Sequence, residues 1–489
     1  MNDFLNKINI KPKAFFGLII ALLIYIISLC IPSIGMLSDG GIRVIGLFLS
    51  FLIILITDAL PVVVTSLIFL GLMAMSLGTA GNAADVGIGS LQGALSYSLS
   101  GFSEPVVYFT LASFGLTAAI TTTPLSKRIL KGLLKIFGKN IKSVLLAIMI
   151  ASCIISSMIS NVPTCAVFMG VALNFLNLYK DKQEKRKTAK AFLIAVPIAS
   201  MIGGMMTPAG SSINLMAIGI LERTTGTTIT FAQWMVAGIP LAIIMLPLAW
   251  WLITIIYKPV NVNNEDIKTF ADELEVPNKI TVNEIKTIVI ALTMLVLWIL
   301  SSWISFFNVM IISLFGCALL FLPGINVINV DTFLKENSWD AFFLVGLVIS
   351  LGGAMSDFGV MNVIGQILPS LNFNIVLVLA IVCLITFICL VIDPVATSLV
   401  SILGPILITL GASTTLGIDN GLATMIILAF SMCLCNCYLL PLDTVPLITY
   451  SKGYYSMTDM LKSTSILQLV LLILVSLWIP VVGLLFGLI

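Results

Sequence analysis

Residues 143–178 read SVLLAIMIASCIISSMISNVPTCAVFMGVALNFLNL. A bilayer-spanning helix needs about 20 apolar residues, so this run is too long for one crossing and short for two. Its middle, Ser160-Asn161-Val162-Pro163-Thr164, is polar and contains a proline. Residues 374–411 repeat the pattern: NIVLVLAIVCLITFICLVIDPVATSLVSILGPILITLG, broken at Asp393-Pro394-Val395-Ala396-Thr397. Irregular backbone at membrane depth survives only where protein buries it or where it lines a polar cavity. Each run therefore predicts a hairpin that returns to the side it came from. Both a re-entrant hairpin and a short pair of full spans satisfy that pattern.

Outward from these runs, the 489-residue chain is 59 % hydrophobic and 9 % charged. A soluble domain carries about 25 % charged residues, so a soluble globular protein is excluded. The apolar stretches are continuous rather than alternating, which argues against a β-barrel. The histidine count is zero, which removes Ser-His-Asp catalysis, histidine-ligated zinc and a histidine proton relay. A net charge of +2 gives no sign of nucleic-acid binding. Cys433, Cys435 and Cys437 lie in an apolar run and read as buried thiols rather than as metal ligands. The first apolar segment, Ala14 to Ile31, is too long for the apolar core of a signal peptide.

Single crossings are expected at about 14–31, 41–57, 59–79, 105–124, 189–221, 231–257, 286–305, 306–323, 340–360, 421–450 and 464–488. With an amino terminus in the cytoplasm and both hairpins returning, 22 of 24 Lys and Arg residues fall on the cytoplasmic side; only Arg43 and Arg223 do not. The reading is an all-α polytopic membrane protein of eleven crossings and two re-entrant hairpins, with its carboxyl terminus outside. Leu125–Lys142 alternates apolar residues with lysines and predicts an amphipathic helix in the cytoplasmic interface.

The chain divides into amino-terminal scaffold spans (1–102), a first repeat (103–257), a cytoplasmic connector (258–285), two further spans (286–337) and a second repeat (338–489). Each repeat runs span, hairpin, span with a polar middle, span. The polar middles are Thr207-Pro208-Ala209-Gly210-Ser211-Ser212-Ile213-Asn214 and Leu440-Pro441-Leu442-Asp443-Thr444-Val445-Pro446. The two hairpins open from opposite sides. An inverted-topology repeat with two interrupted helices is the pattern of a secondary transporter with a midplane site.

Four breaks in equivalent places should converge on one cavity. Each exposes helix amino termini that favour anions, and carbonyls that can ligate sodium. Ser160, Asn161, Thr164, Ser211, Ser212, Thr397, Ser398 and Thr444 add neutral hydrogen-bonding groups, and Pro394 stands in the second tip. Intramembrane carboxylates are costly and usually functional. Asp393 and Asp443 should therefore bind a cation, share a proton or be neutral. Asp58, in Thr57-Asp58-Ala59-Leu60-Pro61, reads best as a helix cap at a turn. No Lys or Arg sits in any break, so an anionic substrate would be held by helix dipoles, amides, hydroxyls and bound cations.

These motifs resemble those of the divalent anion:sodium symporter family, which includes bacterial di- and tricarboxylate transporters. Residues 57–65 look like its acidic-Ala-Leu-Pro stretch, Ser160-Asn161-Val162 like its first Ser-Asn-Thr tip, and Gly210-Ser211-Ser212-Ile213-Asn214 like its Gly-Ser/Thr-Pro-Pro-Asn interruption. Residues 440–446 look like the matching segment of the second half. The resemblance covers essentially the whole chain. It implies a plasma-membrane homodimer in which a transport domain moves as an elevator against a scaffold. It implies one sodium site near Ser156, Ser160, Asn161 and Gly210, and a second near Asp393 and Asp443. Substrate would touch Asn161, Ser211, Ser212 and Thr444. No cofactor is implied beyond sodium or protons as coupling ion.

The chain departs from the family pattern at Val162, at Ile392-Asp393-Pro394 in place of Ser-Asn-Thr, and at Asp443 in place of a small neutral residue. A dianion beside bare carboxylates would be repelled by several kcal/mol at an effective dielectric of ~20. Either the aspartates are neutralised by sodium or protons, or the substrate is not a dicarboxylate. Three functions remain open: a cation-coupled carboxylate symporter, a sodium/proton antiporter, and an anion exchanger without cation coupling. An intramembrane aspartyl protease would leave the repeat unexplained.

Overall fold

The computed structural model describes residues 12–34, 37–274, 276–360, 363, 374–393, 395–412 and 420–488. Pro394 lies outside the described residues. Among those described, the chain is helical, with one isolated bridge between Ile34 and Leu37. The first five helices are α1 (Pro12–Cys30), α2 (Asp39–Thr57), α3 (Val62–Gly78), α4 (Leu91–Ser98) and α5 (Pro105–Thr122). The next six are α6 (Leu125–Phe137), α7 (Ile141–Ser156), α8 (Asn161–Phe175), α9 (Lys182–Gly204), α10 (Ser212–Thr225) and α11 (Phe231–Tyr257). Then follow α12 (Asn264–Asp272), α13 (Val282–Leu300), α14 (Val309–Leu319), α15 (Val330–Glu336) and α16 (Trp339–Asp357). The last five are α17 (Ile375–Ile392), α18 (Ala396–Ala412), α19 (Gly421–Leu434), α20 (Thr444–Tyr450) and α21 (Met457–Leu485). Ten helices among the described residues are long and apolar enough to cross a membrane.

The stretches 143–178 and 374–411 each form two helices that part at the expected break. In the first, α7 has 16 residues and α8 has 15, so each is roughly 22–24 Å long, short of the ~30 Å hydrocarbon layer. The interrupted helices also break as read. Between α9 and α10 lies a single 3-10 turn, Pro208–Gly210, and between α19 and α20 the chain runs through irregular turns and bends. Proline lacks the N–H that would continue the helix, and Ser211 restarts it by accepting from the Ile213 N–H. Gly210 is required by proximity: a Cβ there would stand 2.5 Å from the Gly204 carbonyl oxygen.

The two repeats share one packing plan. Helices α7 and α8 pack on α9, as α17 and α18 pack on α19. The second hairpin arm of each repeat packs on the short restart helix of the other: α8 on α20, and α18 on α10. The long arms do the same, α9 against α20 and α19 against α10, while α11 packs on α21. Helices α1–α5 and α13–α16 form the remaining bundle, and it meets this exchanged core through α10 on α16 and on α5.

Charged groups mark that boundary. Arg223 at the end of α10 pairs with Asp357 at the end of α16 at 3.2 Å, and the Tyr97 hydroxyl of α4 donates to the same carboxylate oxygen at 2.7 Å. Arg43, the other basic residue outside the expected cytoplasmic set, pairs with Asp39 at 3.1 Å. Both exceptions to the charge pattern are thus tied to an aspartate. The amphipathic helix α6 buries Leu130 and Leu134 and sends Arg128 to Glu284 of α13 at 2.6 Å. Arg128 also donates to the carbonyls of Pro277 (3.0 Å) and Lys279 (3.1 Å). The connector is more than a linker: α12 buries Ile267 and Phe270, and Phe270 meets Phe175 edge-on at 5.0 Å. Asp58 caps α2 through its backbone, in a left-handed conformation with φ 49°. That is the turn role expected for it.

Candidate substrate and cation site

The first tip closes on itself. Asn161 begins α8 and is 4 % exposed. With its amide nitrogen turned to the acceptors around it, that nitrogen lies 3.1 Å from the Gly210 carbonyl, 3.1 Å from the Ser200 carbonyl and 2.8 Å from Ser156 Oγ. One side chain thereby joins the hairpin tip, the long arm α9 and the break. Asn214, one turn into α10, seals the same break by donating to the carbonyls of Gly204 and Thr207, both at 2.9 Å. Trp234 Nε1 donates to the Met205 carbonyl at 3.0 Å. Ser156, Asn161 and Gly210 are brought together as read. Ser160 caps α8 without a side-chain bond, and the Thr164 hydroxyl is spent on the Ser160 carbonyl at 3.1 Å. Ser211 is buried and Ser212 half-buried at the head of α10.

The second tip is built from carboxylates. Asp393 ends α17, and its Oδ1 accepts from the Val395 N–H at 3.2 Å. Asp443 caps α20, accepting from the Val445 N–H at 3.1 Å, and the Ala396 amide at the head of α18 lies near it. The second tip and the second break therefore lie side by side, with the Val395 amide bonded to Asp393 and the Ala396 amide near Asp443. Both lie within electrostatic reach of the Cys437 side chain. Neither is in an ion pair among the described residues. Asp393 is 5 % exposed and its Oδ2 has no hydrogen-bond partner among the described residues. Thr444 is exposed beside Asp443, with its hydroxyl 3.4 Å from Oδ1, and Thr397 is half-buried one residue beyond Ala396.

The two sites touch. Cys435 donates to Asn214 Oδ1 at 2.6 Å, and Asn436 Nδ2 lies 3.0 Å from Met205 Sδ. Cys165 of α8 reaches the Val445 carbonyl at 3.5 Å. All four breaks thus meet in one region, as the repeat predicts. The sites differ in how well their polar groups are satisfied. Around the second break, Asp393 Oδ2, Ser398 Oγ, Asn436 Oδ1, the Tyr438 hydroxyl and both amide atoms of Gln468 are buried without partners. Among the described residues of the first tip and break, only Ser152 Oγ is so placed. Buried orphan groups cost about 1–3 kcal/mol each, so this second site is built for something that satisfies them. Sequence reasoning missed Asn436 and Gln468; the available signal was a lone amide inside an apolar run. A separate cavity of about 230 Å³ runs from Pro208 to Asn308 between α5, α10, α11 and α14; its one charged lining residue is Glu222.

The comparisons agree with this architecture. The chain matches the sodium:sulfate symporter transmembrane region over residues 12–488. It is 27 % identical to a sodium-dependent dicarboxylate transporter, SdcS, of Staphylococcus saprophyticus, over 96 % of this chain and 92 % of that protein. The SdcS of Staphylococcus aureus strain USA300 is 25 % identical over 91 % and 86 %. Among solved structures, the Alcanivorax borkumensis YdaH transporter superimposes with a TM-score of 0.54 at 13 % identity, covering 87 % of this chain and 98 % of that one. Neisseria gonorrhoeae MtrF does so with 0.56 at 11 %, covering 89 % and 97 %. At these identities the two structures speak to the fold alone. The match across residues 12–488 makes the chain a multi-pass membrane transporter of the sodium:sulfate symporter family, the divalent anion:sodium symporters.

Proposed function

We propose that this protein carries a small carboxylate, of the di- or tricarboxylate class, across the plasma membrane in symport with sodium or protons. The observation that carries the reading is that Asp393 and Asp443 are both buried, both within electrostatic reach of Cys437, and both without a basic partner among the described residues. A buried carboxylate needs a counter-charge or a proton, and a bound cation supplies one. A cation held there also removes the repulsion that would expel an anion, so substrate and cation bind together. The Asn161 cluster is the second cation position in this reading. Asn161, Ser211, Ser212, Thr397 and Thr444, together with Pro394, are the groups we assign to substrate. The dicarboxylate named for the SdcS relatives makes succinate the first substrate to test.

Alternating access in this reading is an elevator. The exchanged core of α7–α11 and α17–α21 slides against α1–α5 and α13–α16, with the stretches at 143–178 and 374–411 as re-entrant hairpins. Eleven crossings, a cytoplasmic amino terminus, an outside carboxyl terminus and a homodimer complete it. The test is uptake of labelled succinate into liposomes holding the protein, under an inward sodium gradient, an inward proton gradient, or internal unlabelled substrate alone. Cation-dependent uptake is expected. Uptake only against internal substrate would replace symport with exchange. Sodium-driven proton movement without any carboxylate would replace it with antiport.

A further inference from the structure

Helix α21 carries one amide at membrane depth, Gln468, which is 5 % exposed with both Oε1 and Nε2 unpartnered among the described residues. It faces a cavity of about 10 Å³ whose other walls are Phe387, Leu390, Cys437, Leu439 and Leu440. That is about the smallest space that holds one water, and a water needs two to four polar partners. Gln468 offers a donor and an acceptor together. The remaining walls are largely apolar, so an unhydrated ion would lack the oxygens it requires, whereas a neutral water does not. The position matters: Leu390 lies one turn before Asp393, Leu440 three residues before Asp443, and Cys437 within electrostatic reach of both carboxylates. Helix α21 packs on both α17, which ends in Asp393, and α19, which leads to Asp443.

We propose that Gln468 holds a single buried water behind the aspartate pair and thereby positions the second break, making it a determinant of which cation the pair accepts. The inference rests on the reading of Asp393 and Asp443 as a cation site. It adds a residue from a helix that contributes to neither tip and to neither break. A rigid, hydrogen-bonded wall fixes the spacing of the carboxylates, and spacing is what distinguishes sodium from the smaller lithium ion. Gln468 is a positioning residue, since it lies outside the pair's own hydrogen bonds.

The test uses the purified full chain and needs no knowledge of the substrate. Its thermal stabilisation is titrated with sodium chloride and with lithium chloride, balanced by choline chloride. Gln468→Met keeps the length and removes both amide groups. It should move the sodium midpoint up about tenfold, the worth of one lost hydrogen bond, and change the sodium-to-lithium ratio. Gln468→Glu keeps an acceptor and brings a further carboxyl to the pair. It should make the sodium midpoint depend on pH between 6 and 8, and it carries the test if the methionine variant does not fold. Midpoints and ratios within twofold of the wild type in the folded variants would overturn the proposal. Asp393→Asn is measured alongside. If it leaves sodium stabilisation unchanged, the cation-site reading itself falls; if it abolishes stabilisation while Gln468→Met changes nothing, only the inference about Gln468 falls.

Discussion

Gly204→Ala places a methyl group where α9 meets the first tip. The new Cβ would stand 2.7 Å from the Asn161 amide carbon and nearer still to one of the amide's terminal atoms. Ordinary carbon contacts begin at about 3.5 Å, so the amide must retreat by roughly 0.8 Å or more. Its 3.1 Å contacts with the Gly210 and Ser200 carbonyls would then exceed the ~3.5 Å beyond which a hydrogen bond is lost. The amide nitrogen has two N–H groups, so at a net 0.5–1.5 kcal/mol each their loss disfavours the closed tip by roughly 1–3 kcal/mol. If that closed tip is the cation-binding form, sodium affinity falls about 5- to 160-fold although no candidate ligand has been mutated. The assay is the sodium dependence of succinate uptake into liposomes, with melting temperature as a check on folding. Gly71→Ala, in α3 with open space around its Cβ, is the control and should transport normally. A folded Gly204→Ala protein with wild-type sodium dependence would refute the claim that the Asn161 cluster is a cation site.

Asp443→Ala removes the cap of α20 and should cost about 1 kcal/mol of stability, whereas Asp443→Asn keeps an acceptor for the Val445 N–H and should melt close to wild type while losing its cation response; equal melting temperatures for the two would argue against the cap. Arg223→Gln breaks the pair with Asp357 across the α10–α16 boundary. Both partners are partly exposed, so the pair is worth up to about 1 kcal/mol, and exchange of preloaded labelled substrate should quicken by up to about fivefold; an unchanged rate would show that the pair holds no conformation. Burial, and then the bond to Asp357, push the Tyr97 phenol well above its usual range. Because the folded state binds that proton more tightly, the stability is fully present below about pH 10 and lost as pH rises beyond it. Tyr97→Phe should flatten the alkaline limb of a melting-temperature-against-pH curve, and an unchanged limb would contradict the assignment.

The architecture was legible because it is a matter of lengths. Largely apolar stretches of 36 and 38 residues with a polar, proline-containing middle admit few solutions, and Pro208 stands in a polar stretch that weakens the helix on either side of it. The aspartates were legible for the complementary reason that charge is rare in such runs. What each side chain does was less so. Thr164 and Thr444 carry the same hydroxyl, yet one is spent on its own helix and the other is exposed. Asn161, Asn214 and Asn436 became distinguishable only when their partners, from 4 to 231 residues away, were in place. Gln468 was hidden because one amide alters an apolar run very little, while its burial without partners is a property of packing.

The clamp on α6 limits any sliding of the core. Arg128 fixes that helix to α13 through Glu284 and two carbonyls, and Gly138, Lys139 and Asn140 alone connect it to α7. From Phe137 to Ile141 the chain takes four steps, which reach at most about 13–14 Å when fully extended. This link is a leash, and its length is an upper bound on the excursion of the hairpin's root from the helix that is held. To travel further, the protein would have to release Arg128 or unravel the first turn of α7, which the Asn140 side chain fastens by accepting from the Ser143 N–H at 3.0 Å. In the elevator proposed above, the limit of the stroke would be written in three residues that belong to neither candidate site.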